Sequence, residues 1–272
     1  MQQGTSKIHC SVGILTFQSG ATVGRCLESL KDFDEVMVCD GGSTDETLSL
    51  ANAYGCKIVP QNKNYKDSSG HLVDFSGVRN QTLEEATYDW FLYIDSDEFV
   101  SSLLVDEIRS IVEGGASPAL YKLPRKYVVD GVIIECASSY PNYSVRFFHR
   151  NVVGKFVKKV HERVEVISGS EVRVLKNCEY VPLPGVSILR DHDKQYLAIE
   201  SARRTKKVSL TKACVASLFC IKTITRHVLK TIACVFVGRR PRLPFVYEWL
   251  KIGYQLCLLR DLWIGVFYKK NI

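Results

Sequence analysis

Short apolar runs alternate with amphipathic segments along the first 115 residues of the chain. Runs rich in β-branched or aromatic residues and bounded by polar residues predict buried strands, and they cover residues 12–17, 35–39, 56–59 and 90–94. Apolar positions three and four residues apart predict helices over residues 22–30, 44–53, 75–86 and 103–112, and Asp74 is expected to cap the third of them. This alternation predicts an α/β fold with a mostly parallel sheet and right-handed crossovers.

The pattern changes after residue 119, where strand-like segments follow one another without intervening helices. The predicted strands cover residues 121–129, 132–134 and 145–149, and residues 157–166 read as a further extended segment. Asp130 and Gly131 separate the first two strands. An Asp-Gly pair between strands predicts a two-residue hairpin turn.

From Lys194 onward the pattern becomes helical. Over residues 212–237 the apolar positions recur at helical spacing, while Lys222, Arg226 and Lys230 fall on a different face. A second apolar and aromatic segment over residues 245–268 is interrupted by charged residues too often for a membrane-spanning helix. These segments favour attachment to a membrane surface, with a helical pair packed on the rest of the chain, or a dimer, as the alternative.

Charge is distributed unevenly along the 272 residues, whose net charge is +7. Residues 200–272 carry 15 Lys and Arg and 3 Asp and Glu, whereas residues 1–199 carry 21 and 26. A basic segment of this kind predicts an anionic partner, unless its charges only form the solvated face of ordinary helices. Because its basic residues alternate with a continuous apolar face, we expect an anionic membrane surface rather than nucleic acid.

The ten cysteines are scattered, without a Cys-x-x-Cys pair or zinc-type spacing. The N-terminus shows no signal-peptide pattern. We therefore expect free thiols and a cytoplasmic location, peripheral on the inner face of the cell membrane.

The strand predicted at residues 90–94 is followed at once by Asp95, Asp97 and Glu98. Ligands of open α/β sheets bind at the carboxyl ends of strands, and clustered carboxylates call for a cation that neutralises them. Mn²⁺ or Mg²⁺ suits such oxygen ligands. The alternative is an acidic turn before a helix capped at Ser101 or Ser102.

A second polar turn, DGGSTDET, covers residues 40–47 after another predicted strand. Its glycines allow close approach of the backbone. Ser43 is predicted to cap the following helix, with Glu46 completing a capping box.

Together these motifs resemble glycosyltransferase family 2, the inverting transferases of the GT-A fold. The resemblance covers roughly residues 8–165 and is carried by residues 12–17, 40–47, Arg79-Asn80 and 95–97. Residues 146–148, 160–162 and 259–265 resemble the bacterial lipopolysaccharide-core β-1,4-glucosyltransferase branch. The last of these matches is looser, since Leu262 stands where that branch typically has Gly.

The resemblance implies roles for the donor-binding residues. Asp97 would ligate the metal, and Asp95 would contact the ribose or a metal-bound water. Asp40 would bind the base or ribose, in a pocket lined by the backbone of Thr16 and Phe17. A separate expectation concerns Arg79, either as a contact to the diphosphate or a loop anchor, or as a surface ion pair at a helix start.

Inverting transfer also needs a general base for the acceptor hydroxyl. Glu162 is the candidate, and the neighbouring His161 would complete the metal site or bind the diphosphate. Adjacent side chains of an extended segment point to opposite faces, so both reach the site only if the chain bends. Asp191 is the rival base, and Glu98 would orient the acceptor or simply begin a helix.

We therefore expect a GT-A catalytic domain over residues 1–193, with its donor-binding half at about 8–115 and its acceptor side at about 116–193. A helical basic extension over residues 194–272 would bind membrane or form an oligomer. The expected reaction moves a hexose, first of all glucose from UDP-glucose, to a lipopolysaccharide-core, capsule or other surface-glycan acceptor.

Three alternatives rank lower. A sugar nucleotidyltransferase should carry a Gly-rich loop with a basic residue after the first strand, but residues 18–21 read QSGA. A dehydrogenase should show G-x-G-x-x-G in the same place. A non-catalytic protein that only binds membranes would use the basic extension and leave the acidic motifs unexplained.

Overall fold

The computed structural model of the chain describes residues 6–159, 162–203 and 209–267. The chain forms two compact units. The first unit extends to Lys126 and includes Pro141–Val181; the second contains Tyr127–Tyr140 and the chain from Pro182 onward. The predicted boundary after residue 193 falls within a helix of the second unit.

The strands are numbered in chain order. They are β1 (Ile8–Thr16), β2 (Phe33–Asp40), β3 (Lys57–Pro60), β4 (Trp90–Asp95), β5 (Phe99–Val100), β6 (Leu120–Val129), β7 (Val132–Ile133), β8 (Tyr143–His149), β9 (Val153–Val157), β10 (Arg163–Val166), β11 (Val172–Val174) and β12 (Glu179–Pro182). The helices are α1 (Gly20–Ser29), α2 (Thr47–Ala53), α3 (Phe75–Glu84), α4 (Ser102–Glu113), α5 (Val186–Arg203), α6 (Leu210–Phe236) and α7 (Phe245–Phe267). Short 3₁₀ turns cover Lys63–Tyr65 and Arg150–Val152.

The main sheet has the strand order β3-β2-β1-β4-β8-β6-β12-β5. Its first four strands are parallel, as the alternation of strands and helices predicts. Strand β8 then runs antiparallel to both β4 and β6, so the sheet as a whole is mixed. Strands β9 and β10 form a separate antiparallel ribbon.

The centre of the sheet is covered on both faces. On one face, Ile14 of β1 and Ile94 of β4 are fully buried and belong to the same core cluster as residues of α1 and α4. On the other face, Phe91 packs with Phe148 and Phe156. Strands buried on both faces read as nearly continuous apolar runs, which is why β1, β2 and β4 are recognisable in the sequence.

Local signals in the sequence are partly confirmed. Asp74 caps α3 by accepting a bond of 2.9 Å from the amide of Gly77, and Ser101 caps α4 through the amide of Leu104 at 3.1 Å. The capping box of Ser43 and Glu46 is wrong, because α2 begins only at Thr47.

The hairpin predicted at Asp130 and Gly131 is confirmed in the second unit. Both residues have positive φ, 48° and 78°, as a type I′ turn requires. Val129 of β6 accordingly pairs with Val132 of β7.

The second unit also corrects the expectation that every cysteine is a free thiol. Cys136, which follows the hairpin, forms a disulfide with Cys234 of α6. In the part of the chain that the structure describes, no helix combines the length and apolar character needed to cross a membrane.

Candidate functional site

The carboxyl ends of three neighbouring parallel strands lie at one edge of the sheet. Thr16, the last residue of β1, pairs in register with Asp40, the last residue of β2. Leu15 pairs with Asp95, which ends β4. The sheet therefore brings together the two acidic motifs that are 55 residues apart in the sequence.

Asp40 anchors the turn that follows β2. Its Oδ2 accepts bonds of 2.7 Å from the amides of Gly42 and Ser43, and its Oδ1 accepts from the hydroxyls of Ser43 at 2.6 Å and Thr16 at 2.8 Å. Burial raises the pKa of Asp40, but these hydrogen bonds outweigh it and leave the pKa below its usual value. The Oγ of Ser43 also accepts a bond of 2.8 Å from the amide of Gln18, and α2 begins only at Thr47, so Ser43 does not cap α2.

Phe17 lies beside this turn with 61% of its surface exposed. A Cβ atom on Gly41 would lie 3.0 Å from the Phe17 ring and 3.1 Å from the side-chain oxygen of Gln61. Glycine at position 41 therefore allows the turn to pack against Phe17. The ring presents an apolar surface next to the Asp40 turn.

Asp95 lies between two arginines. Its Oδ1 accepts a hydrogen bond from Arg79 of α3, and its Oδ2 accepts one of 2.9 Å from Arg146 of β8. Both guanidinium groups also lie over the ring of Tyr93, at 4.9 and 4.8 Å from its centroid. Burial raises the pKa of Asp95, but the charges of Arg146 and Arg79 prevail and hold it well below its usual range.

The arginine–carboxylate network extends away from Asp95 into the interior of the first unit. Arg146 lies 3.0 Å from Glu98, and Arg125 of β6 bonds to both Glu98 and the fully buried Glu179 of β12. Burial, together with the charges of Asp95 and Glu179, raises the pKa of Glu98. The carboxylate of Glu98 is 4% exposed. Its role in orienting an acceptor stays a prediction.

Three members of this network have no predicted role in the sequence analysis: Arg125, Arg146 and Glu179. Arg146 lies in the apolar run VRFF at residues 145–148, whereas the predicted strand of Arg125 also contains two lysines. A charge inside an apolar run indicates a buried partner, and this signal exists for Arg146 alone. The sequence does not identify which carboxylate that partner is.

Asp97 contrasts with Asp95, because it lies exposed on the turn and makes no ion pair within the described residues. Partial desolvation and the charge of neighbouring Asp95 raise its pKa. The described residues contain no group of three or more His, Cys, Asp or Glu side chains arranged for a metal. One accessible carboxylate still fits Mg²⁺, which usually takes one or two carboxylates and shares its remaining positions with water and phosphate.

The candidate bases lie in different units. Glu162 is 18% exposed in the first unit, and its Oε1 lies 3.4 Å from Nε of Arg79. Arg79 thus contacts both Asp95, the predicted donor-binding carboxylate, and Glu162, the predicted base. His161 lies outside the described residues. Asp191, on α5 of the second unit, is exposed and lies 2.7 Å from Nζ of Lys194.

The N-terminal part of the chain is similar to known glycosyltransferases. Residues 11–126 match the model of glycosyl transferase family 2. The chain is 28% identical over 163 residues to the SPbeta prophage-derived glycosyltransferase SunS of Bacillus subtilis, and this match covers 58% of the chain but only 35% of SunS.

Two solved structures are also similar. The structure of S. aureus TarS 1-349 in complex with UDP-GlcNAc is 18% identical, with coverage of 94% of this chain and 81% of that chain and a TM-score of 0.45. Glucosyl-3-phosphoglycerate synthase from Mycobacterium tuberculosis, solved with Mn²⁺, UDP and glucosyl-3-phosphoglycerate, is 23% identical, with coverage of 45% and 44% and a TM-score of 0.31.

The family match covers β1 to β6, including the Asp40 turn, Arg79 and the acidic stretch at residues 95–98. This is also the part of the chain in which the sequence motifs predict a nucleotide-sugar site. Residues 11–126 therefore match a glycosyl transferase family 2 domain, and the mixed sheet with its helices in this part of the chain is the predicted α/β GT-A fold.

Proposed function

We propose that the chain transfers a hexose from a nucleoside diphosphate sugar to a hydroxyl group of a surface glycan, with inversion at the anomeric carbon. One observation carries the proposal: Asp95 is neutralised by Arg79 and Arg146, whereas the adjacent Asp97 is exposed and without an ion-pair partner in the described chain. The first reaction to test is glucose transfer from UDP-glucose to a lipopolysaccharide-core or capsule acceptor.

Asp97 would hold the divalent cation, Mn²⁺ or Mg²⁺, and His161 is the proposed second protein ligand. When bound, such a cation stabilises the negative charge that develops on a diphosphate leaving group. Asp95, with its orientation fixed by two arginines, would accept hydrogen bonds from the donor ribose. The Asp40 turn and Phe17 would form the part of the pocket that receives the base.

Glu162 is the proposed general base. It would take the proton of the acceptor hydroxyl as the oxygen attacks the anomeric carbon. Arg79 supports this assignment because it contacts both Glu162 and Asp95. One buried guanidinium would therefore position the base relative to the donor-binding carboxylate.

The metal assignment is tested by UDP-glucose hydrolysis and transfer, with and without Mn²⁺, in the wild type and in Asp97→Asn. We expect the variant to lose about a hundredfold or more in rate, the scale on which lost transition-state charge stabilisation acts. Asp106→Asn is the matched control, since Asp106 is exposed on α4. Full metal-dependent activity in Asp97→Asn contradicts the assignment. A thermal-shift panel of nucleotide sugars with Mn²⁺ identifies the donor.

The base is tested by Glu162→Gln and Asp191→Asn. The first variant should still bind UDP but lose about 10²- to 10⁴-fold in transfer, as expected for removal of a general base. The second should transfer normally. The reverse result, active Glu162→Gln and inactive Asp191→Asn, makes Asp191 the base.

We further propose that the second unit attaches to an anionic membrane surface, where a lipid-linked acceptor would lie. Large apolar side chains on α6 and α7 are exposed, among them Phe219 at 68%, Phe236 at 81% and Phe245 at 68%. Lys222 and Arg226 are exposed on α6 as well. Apolar side chains next to basic ones match the acyl boundary and headgroups of an anionic bilayer.

Vesicle flotation of the full chain tests this attachment. We expect flotation with vesicles containing phosphatidylglycerol, weaker flotation with pure phosphatidylcholine, and a further loss at high salt because salt screens the charges. Phe219→Ser with Phe236→Ser should reduce flotation, whereas Leu103→Ser on α4, 62% exposed in the first unit, should not. Dimerisation without flotation, or binding of RNA instead of vesicles, contradicts the proposal.

A further inference from the structure

The second unit contains a pocket of about 350 Å³, a size within the range of small-molecule sites. Three tyrosines line it, Tyr127, Tyr247 and Tyr254, together with leucine side chains. The polar groups in its wall are Asp193, His227, Lys251 and Gln255. All the lining residues belong to the second unit.

A buried hydrogen-bonded group of three side chains fixes the orientation of His227. Glu248 is 2% exposed and accepts bonds from both the amide and the hydroxyl of Ser138. The same hydroxyl lies 2.7 Å from Nδ1 of His227. Since the single hydroxyl proton points to the carboxylate, Nδ1 must carry a proton and donate to Ser138. Burial and the charges of Lys251 and Arg226 lower the pKa of His227, which favours the neutral ring, and Nε2 is then an acceptor.

Lys251 supplies hydrogen-bond donors to the same pocket and is also held in place. Its Nζ lies 3.5 Å from Glu248 and 3.1 Å from the hydroxyl of Ser139, and 4.9 Å from the centroid of the Tyr127 ring. Its charge is therefore balanced by a buried carboxylate within the unit. A bound ligand therefore needs no negative charge to balance the charge of Lys251.

The pocket thus combines tyrosine rings with a fixed acceptor, fixed donors, a side-chain amide and the carboxylate of Asp193, and the charges of Lys251 and Glu248 balance each other. Hydroxyl groups, which both donate and accept, match this mixture, and the apolar face of a sugar ring matches a tyrosine ring. We propose that this pocket binds a neutral sugar ring of a glycan. The residues of this pocket all belong to the second unit and differ from those of the proposed transfer site, and the binding proposed here requires neither nucleotide nor metal.

Saturation-transfer NMR and calorimetry on the full chain test the proposal, with cellobiose and methyl β-glucoside as neutral probes and glucose 6-phosphate as the anionic probe. We expect neutral probes to bind in the presence of saturating UDP and Mn²⁺. Tyr254→Ala and Gln255→Ala should each weaken binding by about fivefold or more, because each removes one contact worth about a hydrogen bond. Tyr143→Ala is the control, since Tyr143 is an exposed tyrosine of the first unit.

Two pocket variants, Tyr254→Ala and Gln255→Ala, are used so that one remains informative if the other does not fold. If the thermal unfolding of Tyr254→Ala shows that it does not fold, Gln255→Ala alone decides the result. The proposal is overturned if neutral probes fail to bind, if UDP displaces them, if only glucose 6-phosphate binds, or if a folded pocket variant binds as tightly as the wild type. Loss of transfer in Asp97→Asn with sugar binding retained separates this proposal from the proposed catalytic function.

Discussion

Arg146 donates a hydrogen bond of 2.9 Å to Asp95 from the antiparallel strand next to it. Arg146 is 5% exposed, so its positive charge is buried. Its guanidinium group contacts the acidic motif at the carboxyl edge of the sheet. The position of Asp95 therefore depends on a strand that follows it by about 50 residues in the chain.

Replacing Arg146 by Ala should destabilise the protein by about 3–5 kcal/mol, the usual cost of breaking a buried ion pair from one side. Glu98 and Glu179 would be left with one arginine between them. The free energy of unfolding in urea measures the effect. Lys31→Ala is the control: Lys31 pairs with Glu28 at the surface, so its loss should change stability little. Equal effects of the two substitutions would contradict the role of burial.

Glu35 should make the stability of the protein depend on acid pH. Burial raises its pKa, but hydrogen bonds from Ser11 and Thr87 outweigh it, so the pKa in the folded state lies below the ordinary 4.5. The unfolded chain then binds the proton more readily, and the stabilisation present above pH 4.5 is lost as pH falls through the folded-state pKa.

We expect Glu35→Gln to be less stable than the wild type at pH 7 and to approach it near the acid end of the curve. Chemical unfolding between neutral and acid pH measures this difference. Glu84→Gln, at an exposed position of α3, should follow the wild-type curve in parallel. A constant difference for Glu35→Gln at all pH values would rule out the linkage.

Gly13 of β1 is expected to tolerate no side chain. A Cβ atom there would lie 2.7 Å from Cγ2 of Thr82 and 2.8 Å from the ring of Phe91. Gly13→Ala should therefore cost about 1–3 kcal/mol through overpacking. Gly24→Ala in α1 is the matched control, because its nearest neighbour would be 3.9 Å away, and it should leave stability unchanged or raise it. Thermal unfolding of both variants gives the comparison.

The disulfide between Cys136 and Cys234 should stabilise the second unit. It closes a loop of 98 residues, and removal of a cross-link of this kind typically costs about 2–4 kcal/mol. Cys136→Ser should lower the unfolding free energy under oxidising conditions and abolish the effect of dithiothreitol on it. Cys214→Ser, at an exposed free cysteine, should do neither. Insensitivity of the wild type to dithiothreitol would show that the bond does not contribute.

Elements that are marked by apolar periodicity, a turn motif or a capping residue are predictable from the sequence. The apolar runs of β1, β2 and β4 and the Asp-Gly hairpin follow from periodicity and turn chemistry, and the cap at Asp74 from residue type. The capping box at Ser43 fails because partners distant from α2 use its hydroxyl. Its Oγ accepts from the amide of Gln18 and donates to Asp40.

The site is predictable only where its residues follow a strand directly. Asp40 and Asp95 are placed at one edge by the parallel register, which the alternation of elements implies. Arg125 and Glu179 meet through the pairing of distant strands, and no spacing in the sequence encodes that meeting. The same holds for Cys136 and Cys234, whose partnership depends on how α6 packs within the second unit.

The two units cannot be separated by cutting the chain at a single position. Residues 127–140 belong to the second unit, although they lie in the sequence between two segments of the first. A protein ending at residue 181 would retain these residues without the helices that bury them, and Ser138 and Cys136 would lose Glu248 and Cys234. Such a truncation should be insoluble or prone to aggregate. We therefore expect the first unit to be expressed in folded form only together with the helical region in the same polypeptide.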